Sequence, residues 1–518
     1  MPARIALLAL LAVVGAALAR LPVAAPRPPA ERVGRLATAA EIDALDRAVR
    51  AAGGRVDYHY RGRVPSYIPN YPVVELDRVT AVEQIDRLPD PEFDYALQIT
   101  ISPATPPGVL ARLARLRHLY QLQLRLEDRL PDGSAGALDV PALVAELAAL
   151  PHLEQLGFHS WGSADGDAVV AALSQLRSLK RVGILYGMTE AGFEALSRQH
   201  NLEFVAVGGS TVTDAGLAHL ARMPRLRGLN VQEARGVTAA GLRPFTRDPR
   251  LTTLIVRLGP PGDAVIAEVA KLHTLEYLQL DTQPRGEPKP DLRPLVALRN
   301  LKTLLCDTRV GDAEFDVMAS LPRLETLVAL IGVDGSDAGI RRLRQLSALR
   351  FLYLYVGHRP DAAAAELAAL PRLESLILVA GPGLTDAGLD ALAAAPRLSE
   401  LAIAPTDRPA KVTEVGLRRF IERMGPRLWS LDVSGVRVGD EVVAELAADA
   451  PNLRLLSLGD AGGVTAQSVP PLLTLPLRGL RLSGSSIGAA GAERLKGAIW
   501  RADVQVPFVP SPSPVPKK

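Results

Sequence analysis

One short apolar motif recurs along most of the chain and constrains its fold more than any other feature. The motif begins with a leucine, and apolar residues follow three and five positions later, as in Leu226, Leu229 and Val231. The leading position is leucine in all 15 motifs from Leu119 to Leu477. A recurrence of mostly 23 to 26 residues predicts stacked structural repeats. The second apolar position is found at Val74, Leu97, Leu122, Leu156, Val182, Val205, Leu229, Leu254, Leu278, Leu304, Leu327, Leu352, Leu376, Leu401, Leu431, Leu456, Leu480 and Val504.

Each repeat changes its apolar period partway through. The motif alternates as a strand does, whereas the segment that follows, such as 213–221, has apolar residues at helical spacing. Thr213 is a suitable helix N-cap, Asp214 suits the positive end of the helix dipole, and Pro224 prevents the helix from continuing. One repeat is therefore predicted to contain a strand, a turn, a helix and a segment that leads back to the next strand.

These repeats resemble bacterial leucine-rich repeats of the short, helix-bearing, ribonuclease-inhibitor-like kind, including GALA-like repeats. Their hallmark is Thr-Asp-Ala-Gly-Leu at 213–217 and 385–389, with variants at 336–340 and 491–495, and the resemblance covers residues 70–506. It implies an α/β leucine-rich-repeat solenoid with one strand for each of the 18 motifs. In this family a parallel β-sheet lines the concave face of a curved horseshoe and helices form the convex face. Family members mostly bind other macromolecules.

The repeats depart from the family pattern at one position. Five residues after the strand leucine the family has Asn or Cys, whose side chain bonds the neighbouring backbone. Here glycine takes that place, and glycine suits a tight turn with positive φ. The family's polar ladder is therefore expected to be missing while the fold survives. The glycines are Gly187, Gly259, Gly332, Gly357 and Gly381.

Both ends of the chain are predicted to lie outside the repeats. Arg4, the apolar or small run 5–19 and its Ala17-Leu18-Ala19 ending are typical of an export signal. The run is shorter than the roughly 20 residues of a membrane span, although an uncleaved N-terminal anchor is the alternative. We predict a signal peptide or anchor at 1–19, a Pro-rich linker at 20–37, an N-terminal cap helix with its connection at 38–69, the repeat domain at 70–506, and a Pro-rich disordered tail at 507–518.

Composition and motif content argue against catalysis and against nucleic-acid binding. The chain has 48% hydrophobic residues, enough for a large core. Its formal charge is +3 and only 8 of its 59 basic residues are Lys, which does not indicate a phosphate-binding surface. The single cysteine, Cys306, excludes an intrachain disulfide and falls on an inward strand position. Because no nucleophile elbow, phosphate loop, HExxH or dinucleotide motif occurs, we predict no enzyme activity, catalytic residue, cofactor or metal site.

The residues beside the strand leucines should point to the concave surface, because side chains alternate between the two faces of a strand. These positions are polar or small near both ends of the array, as at Gln121 and Ser457. Between them lies an apolar and aromatic patch that should be solvated and is predicted to bind a partner. The alternative is that a β-rich, curved face favours such residues without any ligand. The patch contains Ile255, Tyr277, Leu305, Val328, Leu330, Phe351, Tyr353, Tyr355, Ile377 and Val379.

Together these features predict a non-enzymatic, exported repeat scaffold that recognises a protein or peptide through the concave patch. A carbohydrate-binding or cell-wall-binding repeat protein is the alternative, because tyrosines with flanking polar residues also suit sugar rings. A hydrolase with an unrecognised site is a second alternative. The destination is the periplasm, the cell surface or the exterior. No nucleic-acid partner is expected, and no membrane span is expected unless the N-terminal segment stays uncleaved.

Overall fold

The computed structural model describes residues 39–57, 72–127, 136, 138–159, 166–257, 262–280, 290–333, 336–356, 359–405, 410–434, 436–499 and 501–505. The predicted export signal, linker and tail therefore lie outside the described residues. Contacts divide the chain into two compact units, an N-terminal unit that ends at Asp307 and a C-terminal unit that begins at Thr308. Within the described ranges, no helix is both long enough and apolar enough to span a bilayer.

The N-terminal unit alternates strands and helices in the predicted order. Its α-helices are α1 (Ala39–Ala51), α2 (Val82–Asp86), α3 (Val140–Glu146), α4 (Gly166–Leu173), α5 (Glu190–Ser197), α6 (Asp214–Leu220), α7 (Ala239–Arg247) and α8 (Asp263–Val269), with 3-10 helices at Leu110–Arg115, Leu147–Ala149 and Arg293–Ala297. Its strands are β1 (Arg55–Asp57), β2 (Val73–Arg78), β3 (Tyr95–Ile101), β4 (Leu119–Leu126), β5 (Gln155–His159), β6 (Arg181–Leu185), β7 (Phe204–Gly208), β8 (Gly228–Gln232), β9 (Thr253–Arg257), β10 (Tyr277–Leu280) and β11 (Thr303–Val310). Strands β2 to β11 pair in parallel, each with the next along the chain.

The C-terminal unit repeats this arrangement. Its α-helices are α9 (Asp312–Ala319), α10 (Asp337–Arg342), α11 (Pro360–Ala368), α12 (Asp386–Leu392), α13 (Glu414–Met424), α14 (Asp440–Asp449), α15 (Val469–Thr474) and α16 (Gly488–Ala498), with 3-10 helices at Leu343–Gln345, Gly425–Arg427 and Ala466–Ser468. Its strands are β12 (Thr326–Val333), β13 (Phe351–Val356), β14 (Ser375–Ala380), β15 (Glu400–Pro405), β16 (Ser430–Asp432), β17 (Arg437–Gly439), β18 (Leu455–Leu458), β19 (Asp460–Gly463), β20 (Gly479–Ser483) and β21 (Arg501–Gln505). The main sheet runs in parallel through β12, β13, β14, β15, β16, β18, β20 and β21, and β17 pairs with β19 separately.

The strand register confirms the predicted repeat. Leu229 on β8 is aligned with Val205 on β7, and Leu376 on β14 is aligned with Leu352 on β13. All 18 predicted apolar positions lie in strands. Because each strand is followed by a helical turn and then by the next parallel strand, both units are stacks of leucine-rich repeats, and the fold is an α/β solenoid.

The last strand departs from the predicted register by two residues. The sequence places Val504 level with Leu480, but the structure aligns Ala502 with Leu480 and Val504 with Leu482. A shift of two residues keeps each side chain on the same face of the sheet. Val504 is accordingly still buried, with 7% of its surface exposed.

The repeat around β7 and α6 shows how the sequence builds one turn of the solenoid. Val205 on the strand and Leu217 and Leu220 on the helix have no exposed surface. Each such side chain contributes roughly 1.5–3 kcal/mol when it leaves water. The Thr213 hydroxyl accepts the Gly216 N–H at 3.2 Å, so the predicted N-cap is confirmed. Successive helices pack against each other, α5 on α6 and α6 on α7, which gives each repeat the apolar partner it needs.

Neighbouring repeats are joined by hydrogen bonds between helix N-termini. Asp361 at the start of α11 accepts the Thr385 backbone N–H with Oδ1 at 2.8 Å and the Thr385 hydroxyl with Oδ2 at 2.6 Å. The same hydroxyl accepts the Ala387 N–H at 3.2 Å and so caps α12. These bonds link repeats although the family's usual ladder position carries glycine. The same pairing joins Asp167 to Thr189, Asp214 to Thr238, Asp312 to Ser336, Asp386 to Thr413 and Asp440 to Thr465.

The glycine of the Thr-Asp-Ala-Gly-Leu hallmark makes room for this aspartate. A Cβ on Gly388 would collide with Asp361 Oδ1 and would lie 2.7 Å from Leu384 Cδ1. Gly241 faces Asp214, and Gly416 faces Asp386, in the same way. The hallmark therefore encodes one inter-repeat contact, in which threonine and glycine receive the aspartate of the preceding repeat.

Helix α1 lies at the N-terminal end of the described chain. Its predicted apolar stripe, Ile42, Leu45 and Val49, is at most 5% exposed. Asp46 on α1 is also buried, and its Oδ1 accepts the Val56 N–H at 3.3 Å. This bond ties α1 to β1, which pairs antiparallel with β2 and so covers the first edge of the parallel sheet.

Candidate functional site

The two faces of the sheet differ in how much of their surface is accessible. On one face, which we call the core face, strand residues such as Leu352, Leu354 and Leu378 have no exposed surface. The residues between them point the other way, to what we call the open face. The open face corresponds to the concave surface of the sequence prediction, because the predicted patch residues occupy these intervening positions. Cys306 is on the core face at 1% exposure, as predicted.

The C-terminal unit brings six of the predicted patch residues together. Phe351, Tyr353 and Tyr355 alternate along β13 on the open face. Val328 on β12 and Ile377 on β14 are aligned with Tyr353 on either side. Val379 is likewise aligned with Tyr355. The side chain of Leu330 is outside the described residues.

The prediction that this patch is solvated is wrong for half of these six residues. Val328, Tyr353 and Val379 are only 2–4% exposed, whereas Phe351, Tyr355 and Ile377 keep a larger accessible fraction. Parallel strands lie about 4.8 Å apart, so bulky side chains aligned on three successive strands cover one another. The accessible apolar surface of this group is therefore limited to Phe351, Tyr355 and Ile377.

The other three patch residues lie in the N-terminal unit. Ile255 and Leu305 are aligned on either side of Gln279 on β10. Tyr277, on the same strand, donates its hydroxyl to Gln279 Oε1 at 3.3 Å. Ile255, Tyr277 and Leu305 are 2–4% exposed, so the predicted solvation is wrong here too. The polar Gln279 between them shows that these residues do not form an uninterrupted apolar surface.

Polar side chains lie farther along the open face of the C-terminal unit, beyond β15. Ser430 and Asp432 on β16 are aligned with Glu400 and Ala402 on β15 and are partly exposed. Ser457 on β18 is aligned with Asp432 in turn. These residues form a polar group on the open face, three strands from the aromatic side chains of β13 at β16 and four strands from them at β18.

The buried tyrosine of the patch should titrate at unusually high pH. Burial raises the pKa of Tyr353 to about 12, from an ordinary value of 10.0. Since the folded chain disfavours the phenolate, stability should fall as pH rises above roughly 10, and Tyr353→Phe should reduce that fall. We expect a tyrosinate absorbance step near the raised pKa that is missing from the Tyr353→Phe variant. If Tyr353→Phe instead removed part of the absorbance step in the ordinary tyrosine range, near pH 10, the burial of Tyr353 would be contradicted.

Charged side chains of the described residues do not converge on a metal centre. In the described ranges, no group of three or more His, Cys, Asp or Glu residues is placed to hold a metal ion. The carboxylates at helix N-termini are instead hydrogen-bonded within the fold. The Ser336 hydroxyl and N–H hold the pKa of the Asp312 carboxyl below its usual value.

Comparisons with known proteins find structural similarity without sequence similarity. No protein-family profile and no curated protein matches the chain. A yeast Rad7–Elc1 complex aligns with a TM-score of 0.41 and 16% identity over 67% of this chain and 88% of that chain. A TLR13–ssRNA13 complex aligns with a TM-score of 0.37 and 17% identity over 79% of this chain and 63% of that chain. A leucine-rich-repeat protein of Leptospira interrogans aligns with a TM-score of 0.32 and 16% identity over 82% and 91% of the two chains. The assignment as a leucine-rich-repeat solenoid accordingly depends on this chain's own strand register.

Proposed function

We propose that this chain is a non-enzymatic repeat scaffold that binds a protein or peptide segment through the open face of its C-terminal unit. One observation carries the proposal: Phe351, Tyr355 and Ile377 keep accessible apolar surface on a sheet whose other described patch residues are buried. Partly exposed aromatic side chains on a rigid element are frequent anchors of protein interfaces, since they bury a large area at low entropic cost.

The surrounding packing makes these anchors rigid. Tyr353 lies between Phe351 and Tyr355 along β13 and is 4% exposed, and Leu352 and Leu354 beneath have no exposed surface. Side chains supported in this way lose little freedom when a partner arrives, which favours affinity.

The polar group on β16 and β18 supports recognition of a polypeptide. Interfaces commonly surround a small apolar centre with polar groups that remain partly hydrated. Ser430 and Asp432 lie on one side of the apolar centre, two strands beyond β14, and Ser457 lies on the strand after them. Backbone N–H and C=O groups of an extended segment would find both hydrogen-bond donors and acceptors there.

The burial of Tyr353 argues for a peptide over a sugar. A sugar ring stacks on an exposed aromatic face, and Tyr353 at 4% exposure offers none, so Tyr355 is the one tyrosine on β13 that keeps such a face. We therefore prefer a polypeptide partner to the carbohydrate or cell-wall ligand considered from the sequence.

The proposed location is outside the cytoplasm, in the periplasm, at the cell surface or in the medium. This part of the proposal depends on the sequence pattern of residues 1–19 alone. Cell fractionation with N-terminal sequencing of the mature chain tests it. A mature chain that begins near Arg20 and leaves the cytoplasm is expected, and an intact N-terminus in the cytoplasm would contradict export.

To test binding by the open face, the full-length protein is used as bait to select peptides from a displayed random library. We expect their affinity to fall at least roughly tenfold when Phe351 and Tyr355 are both replaced by alanine, because each is an anchor. Val415→Ala is the matched control, since Val415 is 63% exposed on α13 in the same unit. Equal affinity of the double variant and the wild type would overturn the proposal. Retention on a glycan array that depends on the same two residues would favour the carbohydrate alternative.

A further inference from the structure

One cation on the open face of the N-terminal unit lacks a hydrogen-bond acceptor. Arg181 on β6 is aligned with Gln155 on β5 and Phe204 on β7. Its Nη2 atom is buried and forms no hydrogen bond to any described residue. Burial lowers the pKa of Arg181 to about 10. A desolvated guanidinium with unused donors costs stability, which is why such groups are concentrated at functional sites.

An aromatic ring orients the guanidinium without neutralising it. The Arg181 Cζ atom lies 5.0 Å from the centroid of the Phe204 ring, within the range of a cation–π contact. The Phe204 ring extends over Gly228 on β8, where a Cβ would collide with it. Gly228 thus makes room for the ring, and the ring covers one side of the guanidinium.

The carboxylates near Arg181 do not satisfy it. Glu154, which precedes β5, forms an ion pair with Lys180 at 3.1 Å. Glu203, which precedes β7, attracts the Arg181 charge, but its effect on the Arg181 pKa is smaller than that of burial. Arg181 therefore retains donors for an anion that the described chain does not supply.

The open-face positions next to Arg181 on β5 and β6 are glycines. Strand β6 shifts register against β7 between Val182 and Leu185, and such bulges commonly redirect side chains next to binding sites. Gly183 lies in this shift and faces Gly157, whose Cα would be 2.7 Å from a Cβ on Gly183. A Cβ on Gly157 would in turn collide with the Gln123 side chain, which therefore lies over this part of the open face.

An unpartnered acceptor lies on the same face two strands farther along. Asn230 on β8 is 8% exposed, and its Oδ1 has no hydrogen-bond partner among the described residues. Ala206 on β7 is aligned with Asn230 and leaves little bulk on the intervening strand. Two strand spacings are about 10 Å, which an extended peptide covers in about three residues. Arg181 and Asn230 thus offer donors for a carboxylate and an acceptor for a peptide N–H.

We propose that Arg181 binds the C-terminal carboxylate of an extended peptide, while Asn230 accepts an N–H farther along the same segment. A guanidinium donates two parallel hydrogen bonds to a carboxylate, which fixes both position and direction. This site lies in the N-terminal unit and does not depend on Phe351 or Tyr355, so its test is independent of the test of the proposed function.

The probe is acetyl-tetraalanine with a free C-terminal carboxylate, compared with the same peptide as its C-terminal amide. Binding to the full chain is measured by calorimetry and by the shift in thermal unfolding. The free carboxylate should bind at least tenfold more tightly than the amide, and Arg181→Met should abolish this difference. Arg222→Met is the matched control, because Arg222 is an exposed arginine of the same unit. Arg181→Lys should bind more weakly than the wild type, since it cannot donate the paired hydrogen bonds.

Thermal stability separates a binding arginine from a structural one. Since the buried Nη2 of Arg181 has no hydrogen-bond acceptor among the described residues, Arg181→Met should unfold at the same temperature as the wild type or at a higher one. A large drop in unfolding temperature for both Arg181→Met and Arg181→Gln would show that the side chain supports the fold, and would overturn the proposal. Equal binding of the acid and the amide by the wild type would overturn it as well.

Discussion

The variant Leu327→Asp is expected to lose stable structure across several repeats of the C-terminal unit. Leu327 is fully buried on β12 and aligned with Leu352 on β13. Removing a buried leucine costs about 2–5 kcal/mol, and an unpaired buried carboxylate adds a desolvation penalty, so the total should exceed about 4 kcal/mol. Because a repeat is stabilised by its interfaces with its neighbours, the loss should extend to β13 and β14.

Hydrogen exchange resolved by peptide measures this effect, because it reports each repeat separately. Peptides that cover β12, β13 and β14 should exchange much faster in the variant than in the wild type. Val415→Asp is the control: Val415 is 63% exposed in the first turn of α13, so the same added charge should change stability by less than about 0.5 kcal/mol. Unchanged protection around β12 in Leu327→Asp would contradict the assigned register.

The sequence was sufficient for the strands because their signal is local and repeated. A leucine three residues before a strand position, as Leu226 precedes Leu229, marks every central repeat in the same way. The signal weakens at the last strand, where Ala502 takes the place of a large apolar residue. Ala502 and Val504 are both apolar and lie on the same face of the strand. The sequence therefore does not show which of them is level with Leu480.

The candidate site was less predictable because accessibility depends on neighbours from other repeats. The alternation along β13 correctly places Tyr353 and Tyr355 on one face, yet Tyr353 is buried between Val328 and Ile377, while Tyr355 stays partly exposed. Such a difference depends on which side chains are aligned across strands. The sequence signal at Arg181 is a charged residue at an open-face position two residues before Gly183.

The aspartates of the hallmark show a similar limit. Local rules assign Asp214 to the positive end of its own helix, which is correct but incomplete. Its stronger interaction is with Thr238 of the next repeat, 24 residues away, through bonds of 2.7 and 2.6 Å. A single repeat does not reveal this partner, because the contact exists only between stacked repeats.

This inter-repeat contact yields the second large effect, in Gly388→Ala. Alanine normally stabilises a helix relative to glycine by about 1 kcal/mol. At Gly388 the new Cβ would collide with Asp361 Oδ1 and would lie only 2.7 Å from Leu384 Cδ1. We therefore expect a loss of about 1–3 kcal/mol, together with weakening of the two bonds from Asp361 to Thr385. Gly497→Ala is the control, because α16 leaves open space around Gly497, and it should be neutral or stabilising.

A double-mutant cycle with Asp361→Ala distinguishes this steric cause from a general intolerance of substitution. Asp361→Ala alone should cost about 1–3 kcal/mol, since the Thr385 N–H and hydroxyl lose their acceptor. With the carboxylate gone, Gly388→Ala should cost much less than in the wild type, leaving only the contact with Leu384. A coupling energy of about 0.5–3 kcal/mol is expected from chemical denaturation of the four proteins. Additive losses would show that the glycine is required for a reason other than the aspartate of the preceding repeat.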